Sequence, residues 1–169
     1  MLTYIIHQYN FNLVWAKRLV EDLEENQMAV TPCTGLENHP AFTLGHLASA
    51  SALLLSRLGG KPDIPESWTT VFQRSGPGDP QLPTAEIELY PNKKQLLDEM
   101  ERQHNLVIDT LLVLDEMKLK SEMSWRFSRY FPTTLDLIQF MCVSHEAMHL
   151  GQLSAWRRAM SLPSALATL

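Results

Sequence analysis

The spacing of apolar residues along the chain indicates helices and no β-sheet. Apolar positions recur at alternating three- and four-residue steps in four segments, and no segment shows sustained period-two alternation. The pattern predicts helices over about 3–27 and 39–58, a third helix after Pro91, and a fourth from about Thr133 to Met160. We therefore predict an all-α protein.

Residues that commonly begin and end helices support these bounds. Asn38 offers an N-cap for the second helix, and Pro40 suits its first turn. Gly59 and the glycine after it are typical of a helix end, while Thr133 opens a capping box for the fourth helix. The four helices are thus expected to be separate elements joined by turns.

A long connection separates the second and third helices. Ten of the seventeen Gly and Pro residues lie between Gly59 and Pro91. The segment also contains Trp68 and Phe72, which need a surface to pack on, so we predict an ordered cover over 59–90. A helix of about 20 residues is roughly 30 Å long, and this connection can return along its whole length. The predicted fold is therefore a four-helix bundle in which an up-down-down-up order is possible.

Composition and charge narrow the function classes. The chain has 169 residues, 45% apolar and 20% charged, which fits a single domain over 1–169. A net charge of −5 without clustered Lys and Arg argues against binding of nucleic acid or anionic membranes. The N-terminal segment has no basic region and is interrupted by polar residues, so we expect neither a signal peptide nor a membrane span. Two cysteines, Cys33 and Cys142, fit a reducing compartment, and we predict a cytoplasmic protein.

Three of the six histidines occupy apolar helix faces and suggest a metal site. His145 and His149 are four residues apart, so their rings lie one turn apart on one face and can chelate one divalent ion. His46 lies in the apolar stripe of the second helix, after Gly45, whose missing side chain would allow another helix to approach closely. Counted along the axes, His46 and His145 reach the same height when the second and fourth helices are antiparallel, as in an up-down-down-up bundle. The alternative is that the histidines are ordinary core residues hydrogen-bonded to neighbours.

The segment from His145 to His149 also reads H-E-x-x-H, the signature of zinc proteases in which the glutamate is a general base. No His, Asp or Glu follows His149 as a third ligand, and Gln152 and Ala155 stand where the longer protease pattern has Gly and His. A metalloprotease is therefore disfavoured. Glu146 remains a candidate catalytic carboxylate beside the metal, or else a carboxylate at the edge of the buried face.

Three further residues have open roles. His104 lies in the apolar stripe of the third helix and is a candidate partner of the site, a rival ligand or a core residue. Cys142 precedes His145 by three positions, so it is either a metal contact or a small apolar core residue. His39 stands at the start of the second helix, where it could line the mouth of a pocket.

Two segments carry a family resemblance. One runs from Asn38-His39-Pro40 to Leu44-Gly45-His46-Leu47, and the other is His145-Glu146-Ala147-Met148-His149-Leu150-Gly151-Gln152-Leu153. In these segments, and over essentially its whole length, the chain resembles the DinB-like (YfiT-like) metal-dependent proteins. The resemblance implies an up-down-down-up four-helix bundle, a divalent metal held by three histidines, and commonly a homodimer. On this basis the expected metal ligands are His46, His145 and His149.

Three neutral imidazoles leave coordination positions open for a water or a substrate atom, as in catalytic sites. Zinc and nickel are the metals we favour for such a set. We expect a metal-dependent enzyme of thiol transferase or hydrolase type acting on a small molecule, with the thiol chemistry implied by the resemblance. A non-catalytic metal-binding structural or interaction module is the alternative that the sequence leaves open.

Overall fold

The computed structural model describes residues 1–74, 76, 79 and 81–168, and these residues form helices and no β-strand, which confirms the all-α prediction. Within this part of the chain the α-helices are α1 (Leu2–Val20), α2 (Pro40–Arg57), α3 (Glu66–Phe72), α4 (Lys93–Leu112), α5 (Glu116–Lys120), α6 (Thr134–Gln139) and α7 (Glu146–Ala159). A π-helical segment, Phe140–His145, joins α6 to α7, and short 3₁₀ turns cover Glu25–Gln27, Ile87–Leu89 and Ala165–Thr168. None of the described helices is long and apolar enough to cross a membrane.

The first two helices differ from their predicted bounds for local reasons. α1 ends at Val20, not near residue 27, because a capping box between Glu24 and Gln27 begins a separate 3₁₀ turn. α2 begins at Pro40 as expected, but its N-cap is His39, whose Nδ1 accepts a hydrogen bond from the Phe42 N–H at 3.2 Å. The predicted cap, Asn38, instead donates its side-chain amide to Gln152 on α7.

The fourth predicted helix is continuous but not uniformly α-helical. Thr133 caps its start through the predicted capping box, and α6 then widens into the π segment that ends at His145. One extra residue in a turn rotates the following residues by about 100° relative to an unbroken α-helix. Within this segment Cys142 is fully buried in the core, whereas His145 is half-buried.

Contacts between the long helices give their relative directions. Tyr9 meets His104 and Lys93 meets the carbonyl of Val20, so α1 and α4 run in opposite directions. Asn12 donates to the Cys142 carbonyl and Arg157 donates to the Leu19 carbonyl, so α1 and α7 run in the same direction. These contacts are consistent with the predicted up-down-down-up order.

The connection after α2 contributes to the core. It forms α3, whose Trp68 and Phe72 are 7% and 0% exposed. Phe72 packs against Phe42 of α2, and Trp68 packs against Phe72. Gly45 makes this packing possible, because a Cβ at that position would overlap Cε1 and Cζ of Phe72. Within 59–90, residues 75, 77, 78 and 80 lie outside the described residues.

Candidate metal centre

The structure brings together the three histidines that the sequence singled out. One ring nitrogen from each of His46, His145 and His149 lies within 4.8 Å of the others. The ring centres are 4.7 Å apart for His46 and His149, 4.7 Å for His145 and His149, and 5.3 Å for His46 and His145. Each side chain is half-buried, so the cluster lies at the edge of the bundle interior and not in its centre. His46 lies on α2, and the other two histidines lie where the π segment meets α7. This arrangement matches the prediction of one histidine in the second helix and a pair in the fourth.

α3 positions the His46 ring. His46 Nδ1 donates to the Phe72 carbonyl at 2.9 Å, and the ring stacks on Phe42 with centres 5.5 Å apart. Because a carbonyl only accepts, this bond places the hydrogen on Nδ1 and leaves the Nε2 lone pair for another partner. A ligating histidine is commonly oriented in this way through its second nitrogen.

Burial keeps the three imidazoles neutral. Burial, together with a smaller effect of the neighbouring His46, lowers the pKa of His145 to about 4 and that of His149 to about 3. The pKa of His46 is also lowered, mainly by burial, although its bond to Phe72 opposes the shift. A metal binds the neutral ring, so these histidines do not have to lose a proton at neutral pH before they bind an ion.

The polar atoms of the cluster fit a metal ion. Nδ1 of His145 and Nδ1 of His149 are buried and have no hydrogen-bond partner among the described residues. A buried ring nitrogen without a partner is costly, and the close approach of three neutral rings leaves lone pairs facing one another. A divalent ion bonded at about 2.1 Å would satisfy such lone pairs, and three imidazoles are a known catalytic zinc set.

Glu146 lies behind this cluster, in the bundle interior. Its carboxylate is 2% exposed, and Oε1 is 3.0 Å from Nε2 of the fully buried His104. His104 Nδ1 donates to the Met100 carbonyl at 2.8 Å, so Nε2 carries no hydrogen in the neutral ring. Burial raises the pKa of Glu146, whereas His104 and Asn12 oppose the shift. Burial therefore favours the protonated carboxyl of Glu146, whose O–H can donate a hydrogen bond to Nε2 of His104.

The remaining candidates have structural contacts. Cys142 packs in the core, and burial raises the pKa of its thiol well above the usual value, so it is a neutral core residue and not a member of the histidine cluster. His39 is buried and links two segments, because its Nδ1 accepts from Phe42 while its Nε2 donates to the Thr84 carbonyl at 2.9 Å. The predicted place at a pocket mouth is therefore wrong for His39. Sequence reasoning did not find the bond to Thr84, since that residue is 45 positions away.

The fold and the histidine cluster together define a helical protein with a candidate three-histidine metal site. The family model of the DinB superfamily matches residues 11–153, and the chain belongs to that superfamily. A conserved protein from Enterococcus faecalis, known from a crystal structure, has a similar fold: the TM-score is 0.72 at 17% sequence identity, over 94% of this chain and 96% of that one. Comparison with curated proteins gives no match.

Proposed function

We propose that the protein binds one divalent metal ion through His46, His145 and His149 and uses it in catalysis on a small molecule, as a thiol transferase or a hydrolase. The observation that carries the proposal is the convergence of three neutral, half-buried histidines, each with a ring nitrogen within 4.8 Å of the others. Three protein ligands leave a position for substrate, and half-burial leaves that position accessible. Zinc or nickel is the proposed ion.

A metal ion in this site would lower the pKa of a bound thiol or water and so supply a nucleophile near neutral pH. The chain's own residues would orient the site. The Phe72 carbonyl fixes the ring of His46, and the π segment ends at His145, which is half-buried while Cys142 and Glu146 are buried. Glu146 stays the proposed catalytic carboxylate, acting from the interior side of the cluster, where its Oε1 lies 3.0 Å from Nε2 of His104.

Metal analysis tests the ligand assignment. The purified protein, loaded with zinc or nickel and desalted, is expected to retain one equivalent, and His149→Ala is expected to lose it. His7→Ala is the matched control, because His7 is exposed on α1 and outside the cluster. Unchanged stoichiometry in a variant that lacks all three cluster histidines would refute the assignment.

A substrate screen separates catalysis from the non-catalytic alternative. The loaded protein is tested with thiol acceptors and simple ester and amide substrates, and turnover is expected to vanish in His149→Ala while the variant remains folded. If no substrate turns over and loss of metal also unfolds the protein, the ion has a structural role and the protein is a binding module.

The homodimer also stays a prediction, and light scattering of the loaded protein tests it. Tyr4, Phe11 and Val14 form one apolar stripe on α1 that association would cover, since they are 75%, 45% and 49% exposed.

A further inference from the structure

Arg74 lies beside the histidine cluster and has no part in the metal site described above. Its guanidinium carbon is 4.2 Å from the centre of the Phe42 ring, and Phe42 stacks on His46 with centres 5.5 Å apart. These two contacts place the guanidinium within about 10 Å of the His46 ring.

The position of Arg74 is fixed by backbone contacts as well as by the ring. Its Nη1 donates to the Gln73 carbonyl at 3.1 Å and to the Val71 carbonyl at 3.4 Å, at the C-terminal end of α3. Both bonds use the same nitrogen and neutral acceptors, so they orient the guanidinium without neutralising it. Burial lowers the pKa of Arg74, whereas Asp79 and Tyr90 oppose this shift.

We propose that Arg74 recognises an anionic group on the molecule that binds at the metal, so that the substrate is a small molecule with a metal-binding donor at one end and a carboxylate or similar anion at the other. This inference rests on the proposed function, because the donor end needs the three-histidine site. A planar guanidinium held against an aromatic ring pairs well with carboxylates and phosphates. Arg74 is thus a specificity-determining residue, and it supplies the positive charge that the neutral histidines lack.

Paired thiol probes test the proposal on the cobalt-loaded protein, where thiol binding is followed by the sulfur-to-cobalt absorption band. The probes are 3-mercaptopropionate and 6-mercaptohexanoate, each compared with the mercapto-alcohol of the same chain length. At least one acid is expected to bind about tenfold more tightly than its alcohol, a typical effect of one charge-assisted contact. The preference is expected to decline with added salt, because Arg74 is partly exposed.

Two variants assign the preference to Arg74. Arg74→Met is expected to remove the preference and leave the affinity for the alcohols unchanged, while Arg74→Lys restores part of it. Arg158→Met is the matched control, because it removes an exposed arginine on α7 about 13 Å along the helix from His149. The inference would be overturned if an acid still bound Arg74→Met more tightly than its alcohol. Equal affinity for acids and alcohols in the unmodified protein would also overturn it. Failure of cobalt or of all four thiols to bind would instead refute the proposed function, so the two failures are distinguishable.

Discussion

Gly45 permits α3 to pack closely against α2. Replacing Gly45 with alanine tests how much this close approach contributes to stability, apart from the effect of alanine on helix propensity. An added Cβ would overlap the Phe72 ring, which is fully buried among the rings of Phe42, Trp68 and Tyr90 and cannot turn outward. Overpacking of this kind typically costs about 1–3 kcal/mol. Alanine also stabilises a helix interior by about 1 kcal/mol relative to glycine. The net loss expected for Gly45→Ala is therefore about 0–2 kcal/mol.

Gly151 provides the matched substitution. It lies within α7, and a Cβ there would have no atom within 4 Å. Gly151→Ala should therefore keep the propensity gain of up to about 1 kcal/mol without any overlap. The difference between the two variants cancels the propensity term and reads the overlap alone, at about 1–3 kcal/mol.

Urea unfolding with chelator present, followed by circular dichroism, measures both free energies of unfolding. Metal titration adds a second readout, because displacement of Phe72 would move the carbonyl that holds His46 and weaken metal binding in Gly45→Ala but not in Gly151→Ala. Phe72→Leu in the Gly45→Ala background should recover part of the loss, since the smaller side chain leaves room. Equal or greater stability of Gly45→Ala relative to Gly151→Ala would refute the packing argument.

Three further predictions concern titratable side chains. The metal-free protein should lose stability as pH falls from about 6.5 towards 4, because His145 and His149 take up protons at a higher pH in the unfolded chain than in the folded one. Urea unfolding at pH 7.5, 6 and 5 checks this, and a free energy of unfolding that does not change with pH contradicts it. The free energy of unfolding of Glu146→Gln should lie within about 1 kcal/mol of that of the parent protein. Glu146→Ala should lose about 2 kcal/mol or more, because it leaves a cavity and a buried ring nitrogen without a partner. Similar losses for both variants would contradict the paired arrangement. Arg157 lowers the pKa of Asp22 through hydrogen bonds at 2.6 and 2.9 Å. Asp22→Asn should therefore lower the free energy of unfolding by about 1 kcal/mol above pH 5, and this loss should disappear as pH falls through the folded pKa of Asp22. A loss that persists at pH 2 would count against the ion pair.

The π segment is the part of the fourth helix that bears most directly on the site. A π turn inside an α-helix is uncommon and is frequently found at functional sites. Here it ends at His145, at the point where the chain changes from core residues to the histidine cluster. Within the segment Cys142 is fully buried, whereas His145 at its end is half-buried and belongs to the histidine cluster.

Local sequence determined which segments are helical and where several of them begin. Apolar spacing of three and four residues needs only the periodicity of a helix, and the caps at Asn92 and Thr133 bond within three residues of themselves. The same local rule placed His145 and His149 on one face. Tertiary structure decided the rest, because the partners come from distant parts of the chain. Only packing could bring His46 to that pair, hold its ring by a hydrogen bond to the Phe72 carbonyl, and bury His104 against Glu146. The free energy of those contacts depends on which helices meet and not on the sequence around each residue.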